Sequence, residues 1–151
     1  MKIDYKELKI LAIELLNERG VSLLDIAQIT YELQSTYYPE LTIEECLDNV
    51  NLVISKREVI NTILTGITLD KLAESGEIAE PLRSMLLNDY SLYGIDEVLA
   101  YSIVNIYGSI GLTNFGYVDK VKPGKIGEID RLGKHKGVCN TFLDDIIGAI
   151  A

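Results

Sequence analysis

Apolar residues recur along the chain at i, i+3, i+4 and i+7, the spacing of helices that bury one face, rather than in the strict alternation of half-buried strands. Leu8, Leu11, Ile13, Leu15 and Leu16 predict a first helix, which Gly20 ends as a left-handed C-cap residue. Ser22, with Asp25 three residues later, has the form of a capping box and opens a second helix whose buried stripe is Leu23, Leu24, Ile26, Ile29 and Leu33. After the break YYPEL, Thr42 and Glu45 repeat that signature for a third helix, with Leu47, Val50, Val53 and Ile54 facing inward. A fourth runs from about Lys56 to Ser75 and is closed by Gly76, and Pro81 sits in the first turn of a short fifth helix through Leu87.

Asp96 and Glu97 then open an uncharged stretch of 21 residues, 98–118, long enough for a helix to cross a bilayer. Asn105 and Asn114 are costly in hydrocarbon, and Gly108, Gly111 and Gly116 interrupt it, so it reads as a buried helix followed by a turn. Val98, Leu99, Ile103, Val104 and Ile106 point almost all the way round the wheel, the pattern of a helix surrounded by others. Pro123 disfavours helical geometry at Lys122, and a last helix begins near Thr141. The expectation is an all-α fold: one compact domain over residues 1–151, with about six or seven helices round a central buried helix, here residues 98–106, and no internal repeat or linker.

At 151 residues the chain can bury roughly 70% of its unfolded surface without covalent staples. Cys46 and Cys139 stand far apart, offering neither a disulfide framework nor a C-x-x-C zinc site, which suits a reducing, cytoplasmic setting. Fourteen Lys and Arg against 23 Asp and Glu give a net charge of −9, which excludes non-specific nucleic-acid binding. The opening MKIDYKELKI alternates charged with apolar residues and carries no signal-peptide core. No transmembrane segment is expected, and nine tyrosines with 48% hydrophobic residues leave room for a homo-oligomer.

Several chemistries fall away by residue type. His135 is the lone histidine, so a histidine nucleophile paired with a second catalytic histidine is impossible. Neither cysteine begins a C-x5-R loop, and no G-x-x-x-x-G-K-[ST] or G-x-G-x-x-G occurs. Carboxylates remain: Asp96 and Glu97, Asp119 ahead of Lys120 and Lys122, and Asp144 with Asp145. Acids in a first helical turn also serve as plain dipole complements, and an aspartate before lysines as a solvated loop. In the last helix Phe142, Leu143, Ile146, Ile147 and Ile150 share a face while both aspartates fall on the other with Gly148. That is either a solvated acidic face or one that something approaches closely, since glycine costs a helix about 1 kcal/mol relative to alanine.

Charge is also segregated. Residues 119–136 hold six Lys or Arg against three acids, a local +3, while the rest of the chain sums to −12. A hard divalent cation on oxygen ligands, flanked by lysines, is what hydrolysis of a phosphate monoester demands. Neighbouring helical residues point about 100° apart, so both aspartates of a pair are not assumed to bind one ion. The same basic segment offers a peripheral contact with anionic lipid.

Asp96-Glu97, then DKVKPGKI from Asp119 to Ile126, then LDDIIGA from Leu143 to Ala149 resemble the phosphatidylglycerophosphatase A family in order and approximate spacing across residues 94–151. Residues 1–93 are similar to a short branch of that family, in stretches such as KREVINTILTGITLDKLAE. The resemblance implies an all-helical, Mg2+-dependent (or Mn2+-dependent) phosphatase that converts phosphatidylglycerophosphate to phosphatidylglycerol. It implies that Asp96, Asp119, Asp144 and Asp145 bind metal, and that Glu97 is a ligand or the base for water, with Asp144 also catalytic. Lys122, and more weakly Lys120 and Lys125, would contact phosphate. Only Thr65-Gly66 corresponds to the P-G-T-x-G-S motif of the membrane-embedded members, and on its own it reads as an ordinary helix turn. A phosphatase for a soluble phosphomonoester, and a non-enzymatic helical module binding a protein partner, are the alternatives.

Overall fold

Side-chain caps start the first three helices. Asp4 accepts the Lys6 N–H at the head of α1 (Tyr5–Glu18). Reciprocal capping boxes formed by Ser22 with Asp25 and by Thr42 with Glu45 open α2 (Leu23–Gln34) and α3 (Ile43–Val53). The long α4 (Arg57–Ser75) ends at Gly76, whose φ of +82° is left-handed, and the short α5 (Leu82–Leu87) follows Pro81. This computed structural model describes residues 4–135 and 137–151. The first three residues of the N-terminal stretch and Lys136 of the basic segment lie outside them. Among the described residues the fold is all-α, without a strand.

The uncharged segment departs from expectation. It forms α6 (Ile95–Val104), a 3-10 turn (Asn105–Tyr107) and α7 (Gly108–Val121), not one helix and a turn. Gly108, with a φ of +68°, breaks the run, whereas Gly111 and Gly116 are carried inside α7. Lys122 then takes a left-handed conformation (φ 46°) ahead of Pro123, and α8 (Gly124–Gly133) turns back. Helices α7 and α8 are thus two elements beyond those expected.

At the centre lies α9 (Leu143–Ile150), packed against α4, α6, α7 and α8, with every residue except Ala149 buried. The expected central helix is instead half outside. Helix α6 buries Ala100, Ile103 and Val104, while Val98 is 58% exposed. A helical wheel records which residues tolerate burial, but the neighbours decide which are buried, and α6 has partners on one side only. Nor is the acidic face of α9 solvated. A Cβ on Gly148 would stand 3.1 Å from Val118 Cγ1, so the close approach is that of α7. Thr65 donates to the Asn61 carbonyl within α4, and Gly66 lies beneath Phe142 and Ile146, where α4 crosses α9. Gly66 therefore acts in packing, while Thr65 is an exposed residue of a regular helix turn. Of the described helices, none is long and apolar enough to cross a membrane.

Candidate functional site

The carboxylates converge where three helix ends meet. Asp96 and Glu97 stand in the first turn of α6, Asp119 and Lys122 at the end of α7, and Asp144 and Asp145 in the first turn of α9. Together with the loop from Asp89 to Gly94 they line one cavity of about 240 Å³. Both aspartates of α9 are only 5% exposed.

Lys122 is the cation at the cavity's centre. Its left-handed backbone ends α7 and brings Nζ to 2.6 Å from Asp144 Oδ2, 3.5 Å from Asp119 Oδ1 and 3.7 Å from Asp130 Oδ1. Helix α8 fits beneath it because residue 127 is glycine: a Cβ there would come within 2.6 Å of the Lys122 carbonyl oxygen. Burial works against the Lys122 ammonium, but the charges of Asp144, Asp145 and Asp119 outweigh it and hold the group above the ordinary lysine value.

One ammonium does not balance so many acids. Burial, then the charges of Asp144, Asp96 and Asp119, push the Asp145 carboxyl well up, and burial raises Asp144 although Lys122 opposes the shift. Asp96 is raised by burial and by its acidic neighbours, and Glu97 by burial and then by Asp119 and Asp96. Asp96 Oδ1 is buried without a hydrogen-bond partner. Such an oxygen is costly to desolvate, so the cavity favours a cation that would restore its interactions.

The donors are all hard oxygens, the set that Mg2+ or Mn2+ prefers, and the orphaned oxygen of Asp96 fits such an ion. No three of the described His, Cys, Asp and Glu side chains are drawn together closely enough to hold an ion as they stand. Lys120 is exposed, Lys125 pairs with Glu128 at 2.9 Å, and neither lines the cavity.

Three acids at or beneath this site went unread in the sequence. Asp89, in a left-handed loop conformation, lines the cavity, and Asp130 bridges Lys122 and Lys134. Asp130 lies in the mixed-charge stretch EIDRLGK, which looks like a solvated helix face. Asp70 on α4 is fully buried and accepts hydrogen bonds from the backbone N–H groups of Phe142 and Leu143, both at 3.2 Å, and from Cys139 Sγ. It caps the turn that carries Asp144 and Asp145. Its carboxyl is raised to about 7 by burial, against the lowering effect of these donors. Arg19 forks onto Glu74 and reaches the Cys139 carbonyl and Asn140 Oδ1, tying the same turn to α1. The only sequence signal for this support is a charged pair, Asp70 and Glu74, one turn apart on an otherwise apolar helix face. Burial and Asp70 push the Cys139 thiol up to about 12, so it supplies no thiolate, in keeping with carboxylate chemistry.

Known proteins share both fold and sequence. YutG of Bacillus subtilis (strain 168) is 60% identical over 136 residues, covering 90% of this chain and 81% of its own. The crystal structure of YpjQ from Bacillus subtilis superposes with a TM-score of 0.92 at 47% identity, covering 98% of this chain and 90% of that one. The low temperature requirement C protein from Listeria monocytogenes gives 0.87 at 52% identity, covering 95% and 89%. None of these names states a substrate. The match to the phosphatidylglycerophosphatase A family model spans residues 20–151, which include every residue lining the carboxylate cavity, and the chain belongs to that family.

Proposed function

We propose that the protein is a divalent-metal-dependent phosphomonoesterase that hydrolyses phosphatidylglycerophosphate to phosphatidylglycerol. The observation that carries this reading is the cavity itself: carboxylates raised by burial and by one another, an orphaned Asp96 oxygen and a lysine among them. Asp96, Asp119, Asp144 and Asp145 would hold Mg2+ or Mn2+, which when bound supplies charge for the non-bridging phosphate oxygens. Lys122 donates to those oxygens as well, because the hydrogen bond to Asp144 uses one of its three N–H groups. Glu97, an exposed carboxylate whose pKa is raised by burial and then by Asp119 and Asp96, accepts a proton from the attacking water. Water oxygen bonds to phosphorus, the bond from phosphorus to the glycerol oxygen breaks, and the proton passes to the departing alkoxide. Family membership supports the lipid substrate.

The test is phosphate release from phosphatidylglycerophosphate in mixed micelles, with Mg2+ and with a chelator, beside a panel of soluble phosphomonoesters. Turnover that needs Mg2+ and is lost in Asp144→Asn is expected. Hydrolysis of soluble esters alone would keep the metal site and discard the lipid. Inactivity on every substrate, with no Mg2+ binding by calorimetry, would assign the chain to the protein-binding alternative.

A further inference from the structure

The strongest anomaly outside the cavity is apolar. Among the described residues, eleven of the nineteen large hydrophobic side chains exposed to solvent lie between Tyr90 and Val121. Nine of them lie on α6, the 3-10 turn and α7, where residues 98–118 contain no charge, and Tyr90 and Leu92 lie in the loop that leads into α6. Leu92 is 99% exposed, Ile110 75%, and Val98 and Tyr117 each 58%. Monomeric soluble proteins rarely leave so many large apolar groups contiguous in water without a use for them.

We infer that the outer face of the α6–α7 pair seats the protein on a lipid surface, so that the carboxylate cavity opens onto the layer of head groups. The lipid occupant is favoured by continuity with the cavity. Tyr90 and Leu92 belong both to the exposed apolar set and to the cavity lining, so whatever covers the face also lies at the cavity mouth. A second protein seated there would close the mouth, whereas a lipid surface presents phosphate to it. Leu92 has a left-handed backbone (φ 64°), a conformation that a non-glycine residue adopts at a cost, and is 99% exposed.

Charge complementarity agrees. Exposed Lys120 follows Tyr117 on α7, and Lys56 lies with Nζ 5.8 Å from the ring centre of Tyr107 at the other end of the face. Lysines and tyrosines round an apolar patch suit the boundary between acyl chains and phosphates. The acids nearest the face, exposed Glu97 beside Val98 and then Asp96, Asp119, Asp144 and Asp145, all line the cavity. Of the basic segment only Lys120 is assigned to the docking surface, since Lys122, Lys125 and Lys134 are already in ion pairs within the chain.

The inference rests on the lipid reading for the identity of the head group, but binding is measured without turnover. The full chain is sedimented with vesicles of phosphatidylcholine containing phosphatidylglycerol. The wild type is expected in the pellet, with binding that persists at high salt because the contact is apolar. Val98→Asp and Ile110→Asp, both at exposed positions outside the cavity, are each expected to partition about tenfold more weakly. Their helical circular dichroism and their turnover of a soluble phosphomonoester should be unchanged. Wild type left in the supernatant, or variants that bind as well as wild type, would overturn the proposal. A dimer that Ile110→Asp dissociates, with no vesicle binding, would give the face to a second copy of the chain. Vesicle binding lost in both variants but accompanied by no hydrolysis of any ester would support the docking face and count against the phosphatase reading alone.

Discussion

Helices α6 and α9 lie side by side and reverse the usual relation between sequence and burial. From residue 98 onward α6 carries no charge, yet it leaves Val98 and Tyr101 in solvent. Helix α9 carries two adjacent aspartates and is almost wholly buried. Burying an apolar side chain such as Ile147 contributes about 1.5–3 kcal/mol, and α9 uses several to offset the cost of its carboxylates. The contrast teaches that charge withheld from a surface and charge placed in a core are each informative, because packing alone would have arranged both the other way.

Asp145 is where the two helices differ most. Asp145→Asn should lower turnover by about a hundredfold or more, while leaving the melting temperature of the metal-free protein little changed at neutral pH, where burial and its acidic neighbours already hold the Asp145 carboxyl protonated. Phosphate release and thermal unfolding in chelator measure the two effects, and a fall in both would mean that Asp145 serves stability. Next in size, Ile147→Ala, at a fully buried position of α9, should cost about 2–5 kcal/mol in denaturant unfolding. Asp70→Ala should cost about 2–3 kcal/mol by leaving the Phe142 and Leu143 N–H groups unpaired, with Asp70→Asn retaining part of the cap.

A smaller effect is expected from pH. In the fold the Asp70 carboxyl is raised from 3.8 to about 7, so the folded chain holds a proton over an interval in which the unfolded chain has lost it. The linked stabilisation is complete below about pH 4 and is lost as pH rises through about 7. Asp145 shifts in the same direction. The melting temperature of the metal-free protein should therefore fall from mildly acidic to mildly alkaline pH, and Asp70→Asn should flatten that slope. At the small end, Val98→Ser on the exposed side of α6 should change stability by no more than about 0.5 kcal/mol.

How much was legible follows from how local each signal is. The capping boxes at Ser22 and Thr42 and the stop at Gly76 are settled within a few residues, so α1 to α4 could be read directly. Helix α7 could not, because a glycine that breaks a helix, Gly108, and one that sits inside it, Gly116, look alike in sequence. The centrality of α9 was hidden by its aspartates, which a wheel assigns to water. In the cavity, Asp96, Glu97, Asp119, Lys122, Asp144 and Asp145 were marked by short patterns. Asp89, Asp130 and Asp70 become meaningful only once α4, α8 and the loop before α6 are brought to α9.

The position of α9 also bears on how the chain is made. It emerges from the ribosome after the eight α-helices described before it, four of which pack directly against it. Until it arrives, the inward surfaces of Ile63, Ile67 and Ile126 have no central partner, and Asp70 has no helix to cap. Synthesis therefore runs ahead of consolidation: a chain stalled before Leu143 holds most of the helices but lacks the central one that joins them, a state prone to aggregation or capture by chaperones.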